Sequence, residues 1–238
     1  MNIKVARVLN YIIALFVTIG TIFMLFGVKF MGPEDGLSAT KIEMFRFYTV
    51  DSNILMGIVS LIFAIFETKL IKGEIEKIPT KLYVLKLIST VGVTLTFLTV
   101  VLYLAPIATY GYFSMFRNAN LFFHFLVPVL SIISFCFLEK TEGISFKHTF
   151  TGIATMVIYA VFYTINILIH AENGKVSPIY DWYWFVQNGV WTIVIVIPIM
   201  FALTYLISFA LWKANKSSIR QNGWHNLKRR GIIFIVRE

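Results

Sequence analysis

Six apolar runs, near residues 8–29, 44–66, 82–105, 119–138, 149–170 and 189–212, constrain this chain more than any other feature of it. Each is long enough to cross a hydrocarbon core of about 30 Å, which takes roughly 20 residues at about 1.5 Å per residue. In lipid, backbone N–H and C=O groups must find partners within the protein, so these runs have to be helices. The expected fold is all-α: one polytopic domain over residues 1–238, with six transmembrane helices and a basic tail from 213 to 238. Composition agrees, with 58% of residues apolar and 14% charged, against roughly half and a quarter in soluble domains. Lys4 and Arg7 ahead of the first run look like the start of a signal peptide. The run is too long for one, and no small-residue cleavage site follows, so it is expected to remain as a helix.

The net charge of +9 would suggest nucleic acid in a soluble protein. Here the cations lie between apolar runs and at the C-terminus, which argues for topology and anionic lipid and against nucleic acid. Of the 21 Lys and Arg residues, only Lys29, Lys41, Arg46, Arg117 and Lys175 fall on one side of the bundle. The rest, with Lys86 at the near end of the third run, fall on the other. The positive-inside rule then puts both termini in the cytoplasm. Lys228-Arg229-Arg230 followed by Ile232-Ile233-Phe234-Ile235 suits a segment resting on the anionic cytoplasmic leaflet. Gly32-Pro33-Glu34-Asp35-Gly36 reads as a turn. The lone Cys136 excludes an internal disulfide and a cysteine metal cluster, and no metal or cofactor is expected. Asp181-Trp182-Tyr183-Trp184 reads as an aromatic belt at the headgroups or, alternatively, as a cap over a cavity.

Polar residues inside the runs carry the functional argument. Phe45-Arg46-Phe47-Tyr48-Thr49-Val50-Asp51-Ser52-Asn53 opens the second run, and His124 lies in the fourth. A charged side chain within the bilayer costs roughly 2.5–3.5 kcal/mol on insertion scales, so such groups face a bundle interior or a wet cavity. Thr49 and His124 each lie about five residues from the outer end, at one depth by the helical rise. Arg46, Thr49 and Asn53 share a stripe on the second run with Ser52 beside it, and Arg117, Asn120, His124, Pro128 and Ser131 share one on the fourth. Asp51 points away from Thr49 and is expected to pair with Arg46 or Arg117. The third and fifth runs bring Thr99, Tyr103, Tyr163 and Asn166 to the same level, whereas the inner halves read as nearly plain hydrocarbon. His148 and His170 sit near helix ends and read as interfacial.

Acyl transfer suits these groups. A neutral imidazole can take the proton of a neighbouring hydroxyl, which makes the oxygen a nucleophile. Ester cleavage also needs donors aimed at the developing oxyanion, for which Asn53, Asn120 and Arg117 are candidates, with Ser52 and Asp51 beside them. The plain alternative for Thr49 is a hydroxyl bonded back to its own helix.

Phe47-Tyr48-Thr49-Val50-Asp51-Ser52-Asn53 together with His124-Phe125-Leu126-Val127-Pro128 resembles the androgen-induced-gene superfamily. That superfamily includes the androgen-dependent TFPI-regulating protein and bacterial membrane proteins. Its eukaryotic members are six-helix intramembrane threonine hydrolases that cleave fatty acid esters of hydroxy fatty acids. The resemblance implies Thr49 as nucleophile and His124 as base. The Thr-x-x-Ser-Asn form is closer to the bacterial branch, which implies a bacterial cell membrane. A hydrolase of this kind needs a polar pocket end near Thr49 and an apolar tunnel, with Phe23, Phe97 and Phe122 as plausible walls. A non-hydrolytic lipid-binding or transport protein is the alternative, since either would also keep polar groups in a cavity.

Overall fold

The computed structural model describes residues 2–32 and 39–229, with side chains described through residue 217. The turn at Pro33-Glu34-Asp35-Gly36, the side chains of Lys228 and Arg229, and everything from Arg230 onward lie outside the described residues. Among the described residues, six helices are long and apolar enough to cross a membrane: α1 (Ile3–Phe26), α2 (Tyr48–Ile71), α3 (Thr80–Ile107), α4 (Ala119–Leu138), α5 (Phe146–Ile169) and α6 (Val190–Ser217). Helical structure continues beyond α6 to Arg229. One departure from all-α is a two-residue hairpin, Ala171–Glu172 with Lys175–Val176. Its Asn173-Gly174 turn has positive φ at both positions, the backbone that a tight hairpin needs.

The helices run alternately up and down. The near end of the bundle holds the start of α1, the end of α2, the start of α3 and the end of α4; the far end holds their other termini. The third helix is the axis, packed against α2, α4, α5 and α6, while α1 packs on α2 and α4. Close approaches depend on missing side chains. A Cβ on Gly57 of α2 would lie 2.7 Å from Val17 of α1, and one on Gly152 of α5 would lie 2.1 Å from Ser208 Oγ of α6. Small residues at such crossings let membrane helices gain dispersion contacts, since lipid gives them little hydrophobic reason to associate.

Several helix ends differ from the sequence expectation. The first helix begins at Ile3, because Asn2 caps it by accepting from the Val5 N–H. The second begins at Tyr48, because Lys41–Arg46 form a separate 3-10 turn. Arg46 therefore precedes the helix and does not share a stripe with Thr49. Its guanidinium lies over the Phe47 and Trp182 rings, 5.1 and 5.9 Å from their centroids. The sixth helix overruns residue 212 because its end is tied down. Asn215 Nδ2 donates to Phe135 O at 2.6 Å and to Glu139 O at 3.1 Å, and Lys216 Nζ donates to Glu142 O at 2.9 Å.

The near end also overturns the expectation of plain hydrocarbon there. Lys86 of α3 is fully buried, with Asn10 of α1, Glu67 of α2 and Glu139 at the end of α4 buried around it. The Lys86 ammonium donates to Asn10 Oδ1 and to Ser60 Oγ at 3.0 Å, and lies 3.4 Å from Glu139 Oε1. Asn10 Nδ2 in turn donates to Glu67 Oε2 at 3.0 Å and to Glu139 Oε1 at 2.6 Å, and Ser134 Oγ donates to the same Glu139 oxygen at 2.6 Å. Ion pairing and hydrogen bonding together offset desolvation that a lone buried lysine could not survive. Four helices are joined at this point.

Candidate functional site

At the far end, Thr49, His124 and Asn120 line one cavity of about 30 Å³. Met24 of α1, Phe47 and Val50, Leu104 of α3, Ala39 and Tyr183 complete its wall. A second chamber of about 20 Å³ lies beside it and shares Met24, Ala39 and Asn120; its other walls include Phe23, Lys29 and Arg117. The structure thus brings Thr49, His124 and Asn120 together and puts Arg117 next door.

The local fold explains His124. Pro128 has no N–H and its ring crowds the carbonyl four residues back, which is that of His124. The chain absorbs this with a π turn over Phe122–Leu126, in which the Val127 N–H reaches back to Phe122 O. Such turns recur at functional sites because they re-aim side chains. The ring of His124 is buried, with Nδ1 2.6 Å from Met115 O. A carbonyl can only accept, so Nδ1 carries the hydrogen, and in the neutral ring Nε2 keeps a lone pair. That is the tautomer a general base requires.

Thr49 differs from most other threonines of these helices, although Thr164 Oγ1 is likewise without a partner among the described residues. Thr18, Thr21, Thr68, Thr90, Thr94 and Thr204 each donate to the carbonyl four residues back, at 2.6–2.9 Å. Thr49 is the second residue of α2, and the residue four back, Phe45, lies in the preceding 3-10 turn. Among the described residues no hydrogen bond holds the Thr49 hydroxyl. The back-bonded alternative is not what the structure adopts.

The remaining candidates play other parts. Asn53 is fully buried and its Nδ2 donates to Thr49 O at 2.8 Å and Phe123 O at 3.2 Å, so it staples α2 to α4. Both amide hydrogens are then engaged, and neither is free for an oxyanion. Ser52 Oγ bonds Thr49 O at 3.1 Å and lies 3.4 Å from Thr96 Oγ1, facing α3. Asp51 is exposed in the first turn of α2. Among the described residues it makes no ion pair with Arg46 or Arg117. The helix N-terminus, which favours an anion, accounts for its position without one. His148 belongs to the capping box at Ser145, and His170 stacks on Tyr180 with ring centroids 3.6 Å apart.

Two residues of the site were not anticipated. Asn118, at φ 54°, accepts from the Phe30 and Met31 N–H groups, both at 2.7 Å, and donates to Gly32 O at 3.0 Å. This clamp holds the chain after α1 against the start of α4. Tyr183 comes from the segment between α5 and α6. Its hydroxyl accepts from the Tyr48 N–H at 2.9 Å, capping α2 immediately before Thr49. Asp181 fixes that segment by accepting from the Phe185 and Val186 N–H groups, at 2.9 and 3.0 Å, and from the Tyr163 hydroxyl. Trp182 Nε1 donates to the Tyr159 hydroxyl at 2.9 Å. Of the two readings of the Asp181–Trp184 stretch, Tyr183 follows the cap, while Trp184 points outward and is exposed.

The fold and cavity define the class as a six-helix bundle built for a membrane, with a polar chamber at one end. Compared with known proteins, the chain matches no protein family, no curated protein and no solved structure.

Proposed function

We propose that this protein is an intramembrane hydrolase of fatty-acyl esters in which Thr49 is the nucleophile and His124 its base. The observation that carries this reading is the single cavity lined by an unbonded Thr49 and by a histidine whose Nδ1–H is already committed. Thr49 Oγ attacks the ester carbonyl as its proton passes to His124 Nε2. Collapse of the tetrahedral adduct breaks the ester C–O bond, and the leaving alkoxide takes that proton back. Water then hydrolyses the acyl–Thr49 ester by the same steps, with His124 again as base. The chemistry asks for no metal or cofactor. The protein's partner is a membrane lipid or related acyl ester, entering from the far end of the bundle.

We also propose that both termini face the cytoplasm, the membrane being a bacterial cell membrane. The distribution of Lys and Arg supports the orientation and would bring the basic tail to anionic lipid. The chamber beside Thr49, with Lys29 and Arg117 in its wall, favours a second reading in which the cavity only holds an amphiphile's anionic head.

The test is hydrolysis of a long-chain p-nitrophenyl ester by purified protein in detergent, with fluorophosphonate labelling alongside. Thr49→Ala and His124→Ala should each abolish turnover, and the double variant should be little worse, because a nucleophile and its base act as a unit. Thr49→Ser should keep part of the activity. Full turnover and full labelling by a folded Thr49→Ala protein would remove the threonine mechanism and leave the binding reading.

A further inference from the structure

We propose that Tyr183 is a catalytic residue of this site, its phenolic O–H donating the hydrogen bond that holds the oxyanion formed when Thr49 attacks. This rests on the hydrolase reading above and adds the group that reading lacks. An acyl transfer with only a nucleophile and a base leaves the developing negative charge on the carbonyl oxygen unattended, and that charge is commonly where an enzyme lowers the barrier most.

Of the donors named above, Asn120 lines the cavity with Tyr183, and the others are otherwise occupied. Both amide hydrogens of Asn53 go to backbone carbonyls, and Ser52 faces α3. Arg117 lines the neighbouring chamber, on the other side of Asn120. Tyr183 lines the same cavity as Thr49 and His124. Its oxygen accepts from the Tyr48 N–H, the first amide of α2, and its hydroxyl also meets that of Tyr159; an oxyanion, as the stronger acceptor, would take the Tyr183 proton in place of that neutral partner. The contact with residue 48 brings the hydroxyl within a residue of the nucleophile. The N-terminus of a 24-residue helix also places partial positive charge at the oxygen, which strengthens it as a donor.

Two further features fit a preorganised donor. The ring is wedged among Phe47, Tyr159, Tyr163 and Phe185, with centroids 5.3–6.1 Å away, and Asp181 pins the backbone on either side. A donor held this firmly needs little reorganisation when charge develops. Burial pushes the Tyr183 hydroxyl up to about 12, so it keeps its proton across the range in which His124 must act as a base.

In the step itself, the Thr49 Oγ–C bond forms as the proton moves to His124 Nε2. The carbonyl π electrons move onto oxygen, which accepts the hydrogen bond from Tyr183 without taking its proton. When the ester C–O bond breaks, the electrons return and the bond to Tyr183 weakens.

The experiment compares wild type, Tyr183→Phe and Tyr159→Phe on a long-chain p-nitrophenyl ester, with unfolding followed for each. Tyr183→Phe should lower kcat about 100- to 1,000-fold with a much smaller change in KM. It should weaken a long-chain trifluoromethyl ketone, which forms a tetrahedral oxyanion on Thr49, by a similar factor, while binding of the product fatty acid stays unchanged. Tyr159→Phe removes the hydrogen bonds of its hydroxyl to Arg46 O, Trp182 Nε1 and the Tyr183 hydroxyl but leaves the Tyr183 O–H in the cavity, and should keep most of kcat. The proposal is overturned if Tyr183→Phe keeps kcat within about threefold of wild type while Thr49→Ala is inactive, which leaves the hydrolase reading standing. Equal losses in the two tyrosine variants, or equal weakening of ketone and fatty acid, overturn it in favour of a purely architectural cap. A wild type without Thr49-dependent turnover removes both proposals together.

Discussion

Replacing Lys86 by Met tests the near end of the bundle independently of any activity. The side chain is fully buried, and Met matches most of its volume, so the change removes charge and donors with little cavity formation. Left behind are Glu139 and Glu67, 1% and 2% exposed, with Asn10 Oδ1 and Ser60 Oγ also missing a partner. Breaking a buried ion pair from one side costs roughly 3–5 kcal/mol. The lost hydrogen bonds belong to the same network and do not add a separate sum. At about 2–4 °C per kcal/mol for a chain of this size, Tm should fall by roughly 6–20 °C. The assay is thermal unfolding in one detergent followed by tryptophan fluorescence. Lys86→Met with Glu139→Gln should recover a large part of the loss, because a carboxamide leaves no stranded charge. A Lys86→Met protein within about 2 °C of wild type, or a double variant no better than the single, would show that the four groups are not coupled as their geometry implies.

Two other substitutions have expected outcomes that the structure sets apart. Asp51→Asn should cost less than about 1 kcal/mol in thermal unfolding, because only its interaction with the helix terminus is lost; a loss of several kcal/mol would mean that Asp51 holds a buried cation after all. Gly152→Ala should destabilise by about 1–3 kcal/mol in the same assay, since its Cβ would meet Ser208 Oγ at 2.1 Å and Cβ at 2.6 Å, forcing α5 and α6 apart. An unchanged Tm there would refute the close packing of those two helices.

The six spans were legible because hydrocarbon thickness and backbone satisfaction leave a run of twenty apolar residues no other structure. The Thr49–His124 cavity was legible for a related reason: polar groups at matched depth in two apolar runs are costly unless they face each other or a shared space. Lys86 was not. Hydropathy reads a cation six residues into a helix as a flanking charge, and only tertiary structure shows Asn10, Glu67 and Glu139 closing around it. A signal did exist, since four successive runs each carry a polar or ionisable residue at the same end. Tyr183 had a weaker signal still, because a tyrosine in a connecting segment looks the same whether it lies at headgroups or over a helix terminus. The start of α2 was misplaced for a local reason: Met44, Phe45 and Arg46 suit a helix by composition, yet Lys41 at φ 57° and the 3-10 turn after it put the chain on another path.

The two polar sites occupy opposite ends of the same four helices, and that placement has a mechanical consequence. At the near end α1 to α4 are joined through Asn10, Glu67, Lys86 and Glu139, each buried and each bonded to another helix. At the far end Met24, Thr49, Leu104 and His124 of those helices surround the cavity of about 30 Å³. The near-end network fixes α1 to α4 to one another at the end away from the cavity. One wall is contributed from outside the four, by Tyr183. Tyr183 meets the start of α2 at the Tyr48 and Thr49 amides, while its anchors, Asp181 on Tyr163 and Trp182 on Tyr159, lie on α5. The Tyr183 hydroxyl is therefore placed beside Thr49 by anchors on α5, outside the four helices that the near-end network joins.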